Sequence, residues 1–461
     1  MNILKKLKVN NKKYGKHIMA LVIMALMLVV SGFITDMKEV QAADNAKVIM
    51  LKKSKLKVAV PDSAKNIVFI SKKDIRSDIS AKIDKLTGTD IRIDGDSSIC
   101  VYLVGDTYYV VSMNNAIMAI DECDMLFKYY SQLETVEFRN FDIRYVESMS
   151  YMFERCQSLK KIDLSGLDTR YVTDMYGMFS NCYDLTEVNL SGLNTENVTN
   201  MGDMFEKCRE LTKVNLSGIN TKNVDSFVYM FSECSNLKEL DLSSFNTGSA
   251  RKMDQMFAEC SMLEKLDVSS FNTEYVSNFN GMFENCSSLT SIDVSWITSD
   301  SIYTIENMFN GCTSLQSVNL GNLNTKKISD FSYMFGDCTS LQGVNLSSFD
   351  TRNGSEFGGM FKNCRALTSV SLRSFSTAKA TSFDSMFENC NALKSVYVNK
   401  FDVGSATVNN MFRNCYSITG GNDTKYSGSK SAYVRIDGGN AKPGYLNKVG
   451  WIINIRFDGY K

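Results

Sequence analysis

Hydrophobic and polar positions repeat along most of this chain. Residues 178–191 read Met-Phe-x-x-Cys-x-x-Leu-x-x-Val-x-Leu-Ser. The element Met-Phe-x-x-Cys begins at residues 152, 178, 204, 230, 256, 282, 308, 334, 360, 386 and 411, so the spacing is 26 residues and falls to 25 only at the last step. This period predicts a solenoid, whose coils stack because one coil is too small to bury its own apolar side chains.

Two different periodicities occur within one coil. Apolar side chains first recur at the three- and four-residue spacing of a helix face, at Met175, Met178, Phe179, Cys182 and Leu185. Thr173 precedes them as a candidate N-cap. Val188 and Leu190 then alternate with polar residues, which is typical of a short strand. Each coil is therefore predicted to contain a helix, a strand and a turn. Stacking would place parallel, in-register strands on the concave face and short helices on the other.

The longer pattern Met-Phe-x-x-Cys-x-x-Leu-x-x-Val-x-Leu-Ser-x-Phe-x-Thr resembles the repeat of the BspA-like leucine-rich-repeat surface proteins of bacteria. One coil carries the matching residues Leu237, Leu240, Leu242, Ser243, Phe245 and Thr247. The similarity extends over residues 100–446. It implies an α/β solenoid of the leucine-rich-repeat kind and a secreted or surface-displayed protein concerned with adhesion or recognition. It names no ligand.

The N-terminus has the features of a secretory signal peptide. Six lysines and no acidic residue lie in residues 1–17, residues 18–34 are almost wholly apolar, and Val40-Gln41-Ala42 is a small-residue cleavage site. We therefore assign residues 1–42 to a signal peptide. The apolar run is also nearly long enough to span a bilayer, so an uncleaved membrane anchor is the alternative.

The remaining chain divides into four segments. Residues 43–97 form a basic, weakly defined segment, and residues 98–124 form an N-terminal cap built on a β-hairpin from residues 99–104 and 107–112. Residues 125–419 are the solenoid of about twelve coils, beginning with a degenerate coil in which Tyr130 occupies the cysteine position. Residues 420–461 are a C-terminal cap, with a last strand predicted over residues 451–457.

Charge is distributed unevenly along the chain. Without residues 1–42 the chain has 44 basic and 49 acidic residues, a net charge of −5. Residues 43–92 have a net charge of +6, so the rest has −11. The basic segment could contact an anionic cell-wall polymer or membrane non-covalently, or could simply be solvated. The acidic solenoid argues against nucleic acid as a partner.

One cysteine recurs in every complete coil. In an exported chain, thirteen cysteines suggest disulfides. Equivalent positions on stacked coils, however, hold their Cβ atoms parallel and too far apart for a disulfide. A linear column also supplies no converging metal ligands. We therefore predict buried, unpaired thiols at Cys156, Cys182, Cys208, Cys234, Cys260, Cys286, Cys312, Cys338, Cys364, Cys390 and Cys415.

Histidine usage argues against most enzyme classes. His17 is the only histidine and lies in the predicted signal peptide, so the mature chain lacks the base of Cys-His and Ser-His-Asp catalysis and has no histidine-ligated metal site. Carboxylates recur in rows and build no unique pocket. We therefore expect no enzymatic activity and no cofactor.

The predicted sheet exposes two rows of side chains. The row Lys161, Glu187, Lys213, Glu239 and Lys265 alternates in sign and predicts cross-strand ion pairs. The neighbouring row is acidic or amidic and includes the candidate binding residues Asp241, Asp267, Asp293, Asn319 and Asn345. Its three adjacent carboxylates should repel one another, so either a cation such as Ca²⁺ binds there or the row is merely hydrated.

Trp296 occupies a position that is Gly or Ser in most coils, just after a strand. Because aromatic residues dominate interface energetics, it is the best single candidate for a contact residue. The alternative is that it packs locally in an irregular coil.

These features predict an exported recognition or adhesion protein, whose extended face binds a protein or glycan on host or neighbouring cells. The alternative is a structural surface-layer protein that self-associates without a distinct ligand.

Overall fold

The computed structural model describes residues 48–90, 98–113, 117–321, 323–428, 431–436 and 442–448. The predicted signal peptide and the strand predicted over residues 451–457 lie outside the described residues.

The N-terminal region contains six strands and the two α-helices of the described chain. In chain order they are β1 (Val48–Leu51), α1 (Lys53–Ala59), β2 (Asn66–Ser71), α2 (Ser77–Ile83), β3 (Thr89–Asp90), β4 (Ile99–Val104), β5 (Thr107–Ser112) and β6 (Ile117–Ile120), with a 3₁₀ turn over Lys72–Asp74. The segment that the sequence defined only weakly is therefore folded where it is described.

Residues 99–104 and 107–112 form a hairpin, but it is not the element that meets the first coil. β4 and β5 pair antiparallel across Gly105, whose φ of 65° is the left-handed conformation that favours glycine. The sheet order is β3-β4-β5-β2-β7, so β2 lies between the hairpin and β7 (Thr135–Phe138) of the first coil. A second sheet joins β1 and β6 to β8 (Phe141–Asp142). The boundary proposed at residue 97 thus divides a continuous sheet.

Short parallel strands recur at the predicted positions of the coils. They are β9 (Lys161–Asp163), β10 (Glu187–Asn189), β11 (Lys213–Asn215), β12 (Ser291–Asp293), β13 (Ser317–Asn319), β14 (Ser369–Ser371) and β15 (Ser395–Val398). Each strand pairs in register with a strand one repeat away, so that Val188, for example, lies opposite Val214. Residues 239–241, 265–267 and 343–345 are not strands, so the ladder divides into small sheets.

The helix predicted in each coil is wrong. Among the described residues, no helix occurs between residues 121 and 428. The segment instead forms successive turns in which two residues per coil are left-handed, as Gly177 and Asn181 are, with φ of 59° and 62°. Alternate N–H groups bond the next coil rather than their own: Phe179 N donates to Met204 O at 2.9 Å and Asn181 N to Glu206 O at 2.7 Å. A right-handed helix cannot accommodate left-handed residues or lose these donors.

The apolar side chains assigned to the helix nevertheless form the core. Met175, Met178, Phe179, Cys182 and Leu185 are all fully buried. The phenylalanines form one continuous stack from Phe127 to Phe412, with ring centroids 5.4–5.9 Å apart. The periodicity therefore identified the buried positions correctly while assigning them the wrong backbone conformation.

Buried threonines also join successive coils, and the sequence pattern suggested only a turn at this position. Thr195 Oγ1 donates to Asn220 O at 2.9 Å and accepts from Asn220 N at 2.7 Å. Thr221 and Thr247 repeat this pair of bonds with Asn246 and Asn272. Each threonine thus satisfies a donor and an acceptor that would otherwise be buried without partners.

The C-terminal end of the stack is closed by aromatic packing and one added strand. β16 (Leu446–Lys448) pairs parallel with β15. Tyr445 is fully buried, and its ring lies edge-on to Phe412, the last ring of the phenylalanine stack. The described part of the predicted cap therefore continues both the sheet and the core.

Candidate binding surface

The strand face is the surface formed by the outward side chains of β9–β15 and of the equivalent residues 239–241, 265–267 and 343–345. Its acidic and amidic row performs a local structural task. In eight coils the side-chain oxygen accepts the backbone N–H two residues later, at 2.8–3.2 Å, from Asp163, Asn189, Asn215, Asp241, Asp267, Asp293, Asn319 and Asn345. These are Asx turns, which guide the chain out of each strand.

These hydrogen bonds keep the candidate aspartates charged. Bonds from Ser243, Ser269 and Ser295 lower the pKa of Asp241, Asp267 and Asp293 respectively. Each carboxylate therefore has one oxygen committed to its own turn. Throughout the described ranges, no group of three or more His, Cys, Asp or Glu side chains is placed to hold a metal ion. The structure thus supplies no assembled cation site along this row.

The predicted ladder of opposite charges is present only in part. Glu187 forms ion pairs with Lys161 at 2.9 Å and Lys213 at 2.6 Å. Hydrogen bonds from these two lysines lower the pKa of Glu187 to about 2. Within the described chain, no ion pair involves Glu239 or Lys265, which lie in coils without assigned strands. The ladder of ion pairs therefore ends at β11, the last strand of the sheet formed by β9, β10 and β11.

The strand face has shallow depressions and no deep cleft among those found in the described chain. One of about 400 Å³ lies between β9, β10 and β11 and is lined by Lys161, Asp163, Glu187, Asn189, Lys213 and Asn215. Another, of about 420 Å³, includes Glu239, Asp241, Lys265 and Asp267. Both are open and mixed in charge, which suits a contact surface better than the enclosure of a small molecule.

Trp296 belongs to the core instead of the binding surface. Its side chain is 7% exposed, and its ring packs edge-on against Phe271 and Phe279. The indole N–H donates to Asp293 O at 2.9 Å. Because the ring is buried and its only hydrogen-bond donor is bonded, the prediction that Trp296 is a contact residue is wrong. The alternative, that Trp296 packs locally, agrees with the structure.

The predicted thiol column lies in the core, and each thiol makes a hydrogen bond that the sequence did not indicate. All eleven cysteines are buried and free of disulfides. Each Sγ donates to the carbonyl of the phenylalanine in the preceding coil, as Cys182 does to Phe153 O at 3.0 Å. In the degenerate first coil, Tyr130 donates instead to Val60 O at 2.6 Å. Burial raises the pKa of Cys260, Cys312 and Cys415 to about 12, so these groups remain thiols at neutral pH.

Exposed tyrosines, which the sequence analysis overlooked, lie away from the strand face. Tyr145, Tyr171, Tyr275 and Tyr303 are each more than half exposed. The available signal was their position, because Asn, Ser or Thr occupies the same columns in several other coils.

A family model matches most of this repetitive region. The model described as "Mycoplasma protein of unknown function, DUF285" aligns with residues 121–239, 210–317 and 303–424. The chain belongs to the DUF285 family. The matches begin just before the first coil and continue past Cys415, so the family's region is the stack of coils itself. A comparison with curated proteins gives no match.

Several solved structures are similar to this DUF285 chain at low identity. A leucine-rich cell surface protein of Faecalibacterium prausnitzii is 16% identical, with a TM-score of 0.36, and the alignment covers 69% of this chain and 96% of that one. A leucine-rich-repeat protein of Eubacterium ventriosum is also 16% identical, with a TM-score of 0.38 and coverage of 75% and 97%. At these scores the likeness has no bearing on what this chain binds.

Proposed function

We propose that this DUF285 protein is an exported, non-enzymatic recognition protein that binds a protein or glycan on host or neighbouring cells. The observation that supports this role is that buried and exposed positions of each coil differ in how much their residues vary. Constant columns of Met, Phe, Cys and Thr carry the core and the links between coils, while the exposed columns change from coil to coil. An extended rigid stack with variable exposed side chains is the form in which solenoid proteins present binding surfaces.

The absence of an enzymatic role is part of the proposal. It is supported by the shallow depressions of the strand face and by the lack of histidine in residues 43–461. Export is supported by the signal-like sequence of residues 1–42. Among the described residues, no helix has the length and apolar character needed to cross a membrane.

Binding of the labelled, purified protein to intact host and bacterial cells tests the main proposal. We expect saturable binding that excess unlabelled protein competes away. The strand-face contribution is tested by combining Asp241→Ser, Asp267→Ser and Asp293→Ser, because Ser371 occupies the same row in a later coil. Binding that is neither saturable nor competed would contradict a recognition role.

Self-association into a surface layer is the second candidate. It is favoured by the small side chains Ser291, Ser317, Ser369 and Ser395, which would let another molecule approach the strand face closely. Sedimentation of the purified protein distinguishes the two. A monomer across the concentration range supports recognition, whereas assembly that grows with concentration supports a layer.

The N-terminal region is proposed to contact an anionic wall polymer. Lys52, Lys65, Lys82 and Lys85 are exposed there, which would make the contact electrostatic and sensitive to salt. Fractionation of expressing cells at low and high salt tests this: protein released from the wall only at high salt supports the proposal, and protein in the medium at both salt concentrations contradicts it.

A further inference from the structure

An exposed column follows the buried threonines by two residues and runs along one flank of the solenoid. It consists of Tyr145, Tyr171, Asn197, Asn223, Ser249, Tyr275, Ser301, Lys327, Asn353 and Lys379, and we call it the flank column. In four coils its side chain donates to a backbone carbonyl of the preceding coil, from Asn197, Asn223, Ser249 and Asn353 at 2.6–2.8 Å. In these four coils the side chain of the flank column therefore joins one coil to the next.

The other six positions show no such bond, and three of them are tyrosines. Tyr145, Tyr171 and Tyr275 are 59%, 56% and 53% exposed. Tyr303, which is 52% exposed, lies in the adjacent column, where Thr173, Thr199, Ser355 and Thr381 donate to the preceding coil. The four tyrosine side chains form no hydrogen bond, ring contact or cation–π contact with any other described residue.

The four tyrosines occur as two pairs on neighbouring coils. Tyr145 and Tyr171 are one repeat apart, and Tyr275 and Tyr303 are also on successive coils. Stacked parallel chains are about 4.8 Å apart, so one ligand could contact both members of a pair. Single exposed aromatic residues are ordinary, but paired ones in columns that carry structural donors in other coils suggest selection for contact. Tyrosine suits such a contact because it combines an apolar ring with a polar end.

The surroundings of the first tyrosine pair favour an uncharged partner. Arg144 pairs with Asp142 at 2.6 Å and Arg170 with Asp168 at 2.8 Å, so the basic groups beside the first pair are locally neutralised. The net charge of −11 over residues 93–461 would repel an anionic polymer. Between the two pairs, Asn197, Asn223 and Ser249 add amides and a hydroxyl.

We propose that Tyr145, Tyr171, Tyr275 and Tyr303 form a contact surface for a neutral polysaccharide lying along the stacking direction. Sugar rings have apolar C–H faces that can lie on the tyrosine rings, and hydroxyls that can bond the neighbouring polar groups. The inference rests on the proposed recognition function and moves its contact residues from the strand face to the flank.

Affinity electrophoresis tests this surface. The purified protein is run in native gels containing dissolved mannan, dextran, xyloglucan or galactomannan, with heparin as an anionic probe. We expect retardation by at least one neutral polysaccharide. The combined variant Tyr145→Asn, Tyr171→Asn, Tyr275→Asn and Tyr303→Thr should weaken it about tenfold or more, as the loss of aromatic anchors does at other interfaces.

The substitutions are chosen from the chain's own columns, so the variant should fold. Asn occupies the flank column at 197, 223 and 353, and Thr occupies the adjacent column at 173, 199 and 381. An unchanged or raised melting midpoint would show that the stack is intact. Tyr397→Ser is the matched control because Tyr397 is an exposed tyrosine of the strand face and Ser371 precedes it in that row; it should leave retardation unchanged.

Three outcomes would overturn the inference: no retardation by any neutral polysaccharide, equal retardation of the folded variant, or retardation by heparin alone. If the protein binds cells but no polysaccharide retards it, the inference fails and the recognition function stands. If the variant loses cell binding without any polysaccharide effect, the surface contacts a protein instead. If neither cells nor polysaccharides bind, both proposals fail.

Discussion

The two long faces of the solenoid differ in how continuously backbone hydrogen bonds join successive coils. We call the surface formed by the successive turns from Cys123 to Cys415 the turn face. There the phenylalanine N–H bonds the methionine carbonyl of the next coil at every step from Phe127 to Phe387, at 2.8–3.1 Å. On the strand face, strands are assigned in only some coils, and the ladder is interrupted at residues 239–241, 265–267 and 343–345.

This difference shows which face maintains the register of the stack. On the turn face, backbone bonds, stacked rings and thiol donors all repeat without interruption, so a change there affects several contacts at once. On the strand face, the exposed side chains contribute mainly isolated turns and ion pairs. Exposed positions away from the turn face can therefore vary in sequence, and the proposals above place recognition there.

Alkaline pH is expected to have the largest effect on the stability of the fold, because it acts on all the turn-face thiols together. Burial raises the pKa of Cys286 well above its ordinary value of 9.0, and the other repeat cysteines share this environment. Above pH 9 the unfolded thiols lose protons while the folded ones do not, so the unfolded state is favoured. Each thiol contributes up to about 1.4 kcal/mol per pH unit. We expect the free energy of unfolding to fall progressively as the pH rises above about 9, and urea denaturation monitored by circular dichroism at each pH measures this.

The control replaces thiols without changing the turn-face backbone. Combining Cys234→Ala, Cys260→Ala and Cys286→Ala should make the dependence of unfolding free energy on pH less steep. An equal slope in this variant would show that the thiols do not control the alkaline limit.

A large loss of stability is also expected from Phe283→Ala. The ring of Phe283 is fully buried and lies 5.8 Å from the rings of both Phe257 and Phe309. Its removal should lower the free energy of unfolding by about 3–5 kcal/mol. Val318→Ala, in half-buried strand β13, should cost about 1 kcal/mol. Urea denaturation measures both, and equal losses would contradict the difference between the faces.

Replacement of a residue in the left-handed backbone conformation should have an intermediate effect on stability. Asn363 has a φ of 62°, and its N–H bonds Glu388 O at 2.7 Å. Asn363→Val and Asn363→Gly both remove the amide side chain, but only valine is strained in this conformation. Valine should therefore lower the free energy of unfolding by about 1–3 kcal/mol more than glycine. If the two variants unfold alike in urea, the left-handed turn is not required.

The smallest effect is expected from Glu187→Gln on the strand face. This change removes both ion pairs of Glu187, whereas Glu239→Gln removes none that the structure shows. We expect a slight fall in the melting midpoint for Glu187→Gln at low salt, which disappears at high salt, and no fall for Glu239→Gln.

Titration of the wild-type protein checks the same ion pairs. The lowered pKa of Glu187, about 2, means that its stabilisation is present above the ordinary value of 4.5 and is lost as the pH falls towards 2. A carboxyl resonance of Glu187 that titrates near 4.5 in an NMR experiment would show that the lysines do not bind it in solution.

The repeating sequence by itself determined the stacked architecture and the inward columns. Burial recurs with the period of the chain, so Met178, Phe179, Cys182 and Leu185 could be recognised as core from their spacing alone. It also argued against disulfides within the cysteine column, since equivalent atoms on stacked coils point in the same direction.

Only the tertiary structure decided the backbone of the turn face and the position of Trp296. Apolar spacing of three and four residues is common to a helix and to these left-handed turns, and the hydrogen bonds that choose between them join residues 25 apart. Trp296 could have been exposed or buried until Phe271 and Phe279 were brought against its ring by the neighbouring coil. Local pattern specifies which side chains are buried, whereas the partner of each backbone group depends on the adjacent coil.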